Sequence, residues 1–279
     1  MNTPSENSKA AKGTVILVTS STDTIILKDG TSSVIGFYLN ELAIPMQAVV
    51  AAGYEIILAT PEGNKPVMDH SSAIAEHFDN NEDELKKALE FVQTYPAMQN
   101  PVSLRSLVEK GLDKYIGVFV PGGHPPMVDL MQDPALGDIL KYFHKEGKIS
   151  AFLCHGPISI AASVRDPKAF REALAKGDTA AAKKASEGWQ YAGYRMTVFS
   201  NDEEHYAEKN VFGGHLAPFY VADALSIAGG ILEFADGGIF KPHLVIDREL
   251  ITGQNPPTAH MFADAFVNAL DHVSVGVSV

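Results

Sequence analysis

The chain has 279 residues, with 22 Lys and Arg against 34 Asp and Glu, for a formal net charge of −12. That imbalance opposes binding to a phosphate backbone or an anionic leaflet, so neither nucleic acid nor membrane is expected as a partner. A single cysteine rules out an internal disulfide and a thiol cluster for structural zinc, and it fits a reducing, cytoplasmic setting.

Residues 1–13, MNTPSENSKAAKG, are polar and small, unlike a signal peptide, and are expected to be a disordered leader. TVILVTS (14–20) is a β-branched apolar run of the kind buried on both faces of a sheet. IPMQAVVAAGYEIILATPEG (44–63) reads as the end of a helix, a stop at Gly53 and a second strand. YIGVFVPGG (115–123) is strand then glycine loop, PALGDILKYFHKEGK (134–148) a helix stopped by Gly147, and ISAFLCHG (149–156) a further strand.

Further along, YRMTVFS (194–200) predicts a strand, HLAPFYVADALSIAGG (215–230) a helix, and HLVIDRELITGQNP (243–256) a strand or hairpin. PTAHMFADAFVNALDHV (257–273) predicts a closing amphipathic helix. Two stretches break the alternation: 64–112, rich in Asp, Glu, Asn and Lys, and the Ala/Lys-rich 163–190. The pattern predicts one α/β domain over 14–273, a doubly wound, mostly parallel sheet with helices on both faces in a flavodoxin-like sandwich. Residues 64–112 and 163–190 are expected as inserted caps or lids around a site.

Cys154 lies at the end of one predicted strand, where ligands bind in parallel sheets. Gly156 permits a tight turn and Pro157 suits the first turn of a following helix, whose positive end favours a thiolate. A free cysteine is more often simply buried. The strand end, the glycine and the proline tip the reading toward a strand-turn-helix nucleophile.

CHGP after an apolar strand, VFVPGGHPPMVDL (118–130), GFYLNELAIP (36–45), GHLAPFYVADAL and ITGQNPPTAH (251–260) together resemble the ThiJ/PfpI superfamily, of class I glutamine amidotransferase-like fold. Within it they are most similar to the glyoxalase III branch, that of the bacterial holding chaperone HchA and its fungal relatives. The resemblance implies that Cys154 is the nucleophile and His155 its neighbouring imidazole and backbone N–H donor. It makes Glu41 the carboxyl beside the sulfur, Glu204 the acid that orients the histidine, and Gly123 the second oxyanion donor. Asp202 and Glu203 compete with Glu204 for that register.

Each residue also has a plainer reading. Glu41 can be a solvated helix charge, although apolar neighbours Leu39, Leu42, Ala43 and Ile44 favour burial, and a buried carboxyl tends to stay protonated. The glycines can be turn residues alone. His124, His215 and His260 could reach the pocket, but each is read as solvated or capping.

A thiolate, a proton-exchanging carboxyl, a histidine held by an acid and two oxyanion donors suit addition of sulfur to an electrophilic carbonyl. The resemblance implies a cofactor-independent glyoxalase that converts methylglyoxal or a related 2-oxoaldehyde to a 2-hydroxy acid through a cysteine hemithioacetal. A small-molecule dicarbonyl is thus the expected partner. No cofactor is expected, since neither a P-loop nor a dinucleotide fingerprint occurs. No metal is expected either: the bacterial branch carries a histidine before Ala-Ala-Gly where this chain has Val50, leaving Glu55 and, in the insertion, His70 and His77. Relatives of this kind are usually homodimers. The competing readings are a thiol hydrolase, amidase or protein deglycase, a holding chaperone for unfolded proteins, and a redox sensor at Cys154.

Overall fold

The structure is a computed structural model that describes residues 11–275, so the first ten residues of the expected leader lie outside the described residues. Seven strands build one sheet: β1 Thr14–Val18, β2 Glu55–Thr60, β3 Val102–Ser103, β4 Tyr115–Val120, β5 Ile149–Leu153, β6 Leu244–Asp247 and β7 Leu250–Gly253. Their spatial order is β6-β7-β5-β4-β1-β2-β3. Every pairing is parallel except that of β6 with β7. β5 is buried along its whole length and β1 beyond its first residue, as strands covered on both faces must be.

The principal helices are α1 Leu39–Ala51, α2 Glu82–Thr94, α3 Pro134–Glu146, α4 Pro167–Ala175, α5 Thr179–Ser186, α6 Asn201–Asn210, α7 Val221–Ala228 and α8 Ala259–Val275. α1, α2 and α8 pack together on one face of the sheet, and α3 packs with residues 156–163 on the other. Phe262 and Phe266 of α8 lie 5.2 and 5.8 Å from the ring of Phe119 in β4. Each such ring taken out of water contributes about 1.5–3 kcal/mol. Chain connections leave β1 in one direction toward β2 and cross in the other direction to β4 and β5. The crevice at the carboxyl ends of β1, β4 and β5 is therefore the ligand-binding position of an open α/β sheet.

Several expectations are corrected. Of 194–200 only Arg195–Met196 is strand, paired with Ile231–Leu232 outside the main sheet. Residues 215–220 are loop, because Pro218 cannot enter a helix interior, and helix begins at Val221. α1 begins at Leu39, ahead of Pro45, whose missing N–H leaves the Glu41 carbonyl without its helical donor. The segment after Cys154 is a buried 3-10 helix, Gly156–Ser163, rather than an α-helix. The 64–112 stretch supplies the edge strand β3 as well as loops above the crevice. In 163–190, α4 and α5 pack on each other and α5 on α7.

Candidate active site

The end of β5 delivers Cys154 with φ of +61°, left-handed backbone that a side chain adopts only under constraint. The constraint is visible on both sides. Its N–H donates to the Gly253 carbonyl at 2.9 Å, and its carbonyl accepts from the Phe199 N–H at 2.9 Å. Gly156 serves a different purpose from the tight turn expected of it: a Cβ there would lie 2.3 Å from the Val120 carbonyl oxygen, so only glycine lets the 3-10 helix pass against β4.

His155 follows, fully buried, with Nδ1 3.3 Å from Cys154 Sγ and Nε2 2.7 Å from Glu204 Oε2. Of the three acids competing for this role, Glu204 makes the contact. Asp202 is exposed, and Glu203 is spent on a capping box with Ser200 and on the side chains of Gln254 and Asn255 at 3.0 and 2.8 Å. Burial alone would raise the Glu204 carboxyl, but the imidazoles of His155 and His124 overcome it and hold Glu204 far below the usual carboxylate range. Burial, and then His124, push the His155 imidazole down, which keeps it neutral and able to accept a proton.

Glu41 is fully buried on the first turn of α1. Its Oε2 accepts from the Gly122 N–H at 3.0 Å, and its Oε1 is buried with no hydrogen-bond partner. Burial pushes its carboxyl up to about 8, against smaller opposing effects of the Cys154 thiol and the Gly122 N–H. Gly122 fills the gap between the two: a Cβ there would sit 2.6 Å from both Cys154 Cβ and Glu41 Oε2.

The sulfur departs from expectation. Burial first, then the neighbouring Glu41, push the Cys154 thiol well above its ordinary range, against a smaller opposing effect of the Gly123 N–H directed at the sulfur. A preformed thiolate, expected from a helix terminus, is replaced by a protonated thiol beside a neutral imidazole. The Gly123 N–H is directed at that sulfur, and the backbone nitrogen of His155 lies 2.8 Å from where a Cβ on Gly122 would sit.

Cys154, 3 % exposed, forms part of the wall of a cavity of about 80 Å³. The same wall includes Tyr38, His124, Phe199, Tyr206 and Phe240. From the 64–112 stretch come Asp69 and Ser71 at the wall and His77, whose Nε2 is 3.0 Å from the Tyr38 hydroxyl. Ser72 of the same stretch accepts from the Leu39 N–H at 2.9 Å and so caps α1, the helix that carries Glu41.

Of the three histidines read as solvated, two are so placed. His215 is exposed beside Asp29 at 2.7 Å, and His260 lies at 3.7 Å from Asp79 and 3.8 Å from Glu84. His124 is not. It is 8 % exposed, with Nε2 2.9 Å from Glu204 Oε1. Its place directly after Gly-Gly at a strand end was the available signal. The donor atoms of His124, His155 and Glu204 lie within 4.8 Å of one another, but both Nε2 atoms are already engaged with the carboxylate. Val50 occupies α1, and among the described residues Glu55, His70 and His77 form no three-residue ligand cluster.

The ThiJ/PfpI family-like model matches residues 33–185, more than half of the 279 residues. The chain belongs to the ThiJ/PfpI family. One ThiJ/PfpI relative, the protein/nucleic acid deglycase HchA of Pseudomonas aeruginosa, is 27% identical over 237 residues, covering 83% of this chain and 72% of that one. The glutathione-independent glyoxalase HSP31 of Saccharomyces cerevisiae is 26% identical over 259 residues, covering 92% and 97%. The crystal structure of glyoxalase III from Candida albicans superposes with a TM-score of 0.70 at 22% identity, covering 92% of this chain and 97% of that one, a likeness of fold.

Proposed function

We propose that this ThiJ/PfpI protein is a glutathione-independent glyoxalase that converts methylglyoxal or a similar small 2-oxoaldehyde to a 2-hydroxy acid. The observation that carries this reading is the placement of Cys154 and His155 on the wall of one small cavity, with the Nδ1 of His155 3.3 Å from the sulfur and the Glu41 carboxyl buried beside Cys154. The names of the relatives HSP31 and HchA point the same way.

Sulfur adds to the aldehyde carbon while the thiol proton passes to His155 Nδ1, and the imidazolium is stabilised by Glu204. The Gly123 and His155 amides hold the new oxyanion until the imidazolium protonates it, giving a hemithioacetal. Glu41 then removes the proton on that carbon through Oε1 and returns it to the neighbouring carbon, while the hydroxyl proton of the first carbon passes to the oxygen of the second. The first carbon is thereby oxidised to a thioester and the second reduced to an alcohol. Water activated by His155 cleaves the thioester, and the thiol regains its proton. No external oxidant or reductant is required. A carboxyl raised to about 8 is a stronger base than an ordinary glutamate, which suits abstraction of a carbon-bound proton near neutral pH.

A deglycase would need Cys154 to reach a carbonyl adduct still attached to a protein side chain. With the thiol 3 % exposed in a cavity of about 80 Å³, a free dicarbonyl of a few heavy atoms is the better fit. The test is lactate formation from methylglyoxal without glutathione. Lactate from the wild type and none from Cys154→Ala is the expected result. No lactate at millimolar methylglyoxal from protein with a titratable thiol overturns the proposal.

A further inference from the structure

Glu204 has two carboxylate oxygens, and a different imidazole engages each. Oε2 meets His155 Nε2 at 2.7 Å and Oε1 meets His124 Nε2 at 2.9 Å. The three side chains are 1%, 2% and 10% exposed for Glu204, His155 and His124, so water does not compete for these bonds. A carboxylate only accepts, so both Nε2 atoms must carry hydrogen. For His155 that leaves Nδ1 bare, and this is the nitrogen 3.3 Å from Cys154 Sγ.

We infer that His124 is a positioning residue: by holding Oε1 of Glu204 it fixes the carboxylate on His155 and keeps Nδ1 of His155 free to accept the Cys154 proton. The ring of His124 lies 4.2 Å from that of His155 and 4.7 Å from Phe212, which fixes its own orientation. It leaves β4 on the same turn that sends Gly122 N–H to Glu41 and Gly123 N–H to the sulfur, so one glycine pair aligns all three groups. Without the His124 donor, Glu204 would concentrate its charge on His155 and make that imidazole more basic. It would also be free to turn away.

The titratable groups near this unit include Cys154 from β5, Glu41 from α1, Glu203 from the helix of Glu204 and Tyr220 at the start of α7, with Tyr38, Asp69 and Tyr206 on the wall of the cavity that His124 and His155 also line. His124 lowers the affinity of His155 for a proton, second only to burial. The inference rests on the role given to Cys154 above, but its first readout does not require turnover.

The experiment follows His155 by NMR on protein with ring-¹⁵N histidine, assigned through His155→Gln, in the wild type, His124→Gln and His124→Asn. A glutamine amide reaches the position of Nε2 and can replace the donor, whereas asparagine is too short. The wild type should hold the Nε2–H tautomer of His155. His124→Asn should raise its titration midpoint by about one pH unit and mix the tautomers, and His124→Gln should restore both. In parallel, kcat should fall in His124→Asn with KM little changed. If His124→Asn leaves the titration and tautomer of His155 unaltered, or if the two variants behave alike, the positioning role is overturned. Absence of lactate from all three proteins instead removes the proposed activity while the NMR result still decides this one.

Discussion

The Gly122 N–H donates to Glu41 Oε2 at 3.0 Å across 81 residues of sequence, fixing the first helix of the fold to the glycine turn after β4. That bond holds a carboxyl beside a sulfur where burial weakens solvent stabilisation of charge on either. Its consequences reach both stability and catalysis.

Glu41 should cost stability as pH rises. Its folded-state value is pushed by burial to about 8 from an ordinary 4.5. Between those values the unfolded chain releases the proton and the folded chain retains it, so stability declines across that window and levels off above it. The full effect is at most on the order of 3–5 kcal/mol. Glu41→Gln keeps an acceptor for Gly122 and removes the titration. Thermal melts should therefore fall more steeply from pH 5 to 8 for the wild type than for the variant, and parallel curves would count against a raised carboxyl.

The same carboxyl should govern turnover. If its ionised form removes the carbon-bound proton, kcat/KM for methylglyoxal should rise about tenfold per pH unit below the transition and level off near pH 8. A profile already flat from pH 6 would assign the proton transfer to another group.

Cys154 should be a slow thiol. Because burial and Glu41 push it up, iodoacetamide should modify it at pH 7 at least roughly tenfold more slowly than free cysteine, with the rate climbing at alkaline pH. Glu41→Gln, lacking the negative neighbour, should shift that climb to lower pH. Rapid alkylation at pH 6 would mean that a thiolate is already formed.

Gly122 should tolerate no side chain. In Gly122→Ala the new methyl meets Cys154 Cβ and Glu41 Oε2 at 2.6 Å, so Glu41 must be displaced. Turnover should drop at least about a hundredfold and stability by about 1–3 kcal/mol. Near-normal activity in the variant would show that the site does not need this spacing.

Tyr38 tests the contribution of the 64–112 stretch. Tyr38 lines the cavity with its hydroxyl 3.0 Å from His77 Nε2, and with His77 as the donor of that bond the hydroxyl proton is free for the second carbonyl of a dicarbonyl. Tyr38→Phe should raise KM by about fivefold with kcat nearly constant, the effect of one lost hydrogen bond made equally before and during reaction. A fall in kcat alone would place Tyr38 in the chemistry.

What was legible in the sequence was local. The alternation of β-branched runs with glycine-stopped helices marks the parallel sheet, and the strand end before His-Gly-Pro marks Cys154. Glu204 could not be separated from Asp202 and Glu203 by spacing alone, because the choice is made by His155 from the far end of β5. His124 was missed for the same reason: its burial depends on an acid 80 residues away. The thiol was misjudged because what raises it is burial first and then a carboxyl on a helix more than a hundred residues earlier, neither of which the local sequence displays. The Ala/Lys-rich 163–190 was read as a cap, and the buried side chains of α5, Ala182, Ala185 and Ser186, carry little directional pattern.

The most direct measurement is intact-protein mass spectrometry of Glu41→Gln after brief exposure to methylglyoxal, beside the wild type and Cys154→Ala. A thiol that adds to the aldehyde but cannot complete the proton transfer should accumulate one methylglyoxal equivalent on Cys154 in Glu41→Gln. The wild type should stay largely unmodified while lactate appears, and Cys154→Ala should carry no adduct at that position. An unmodified Cys154 in Glu41→Gln, together with lactate formation undiminished in Cys154→Ala, would contradict a covalent route through this sulfur.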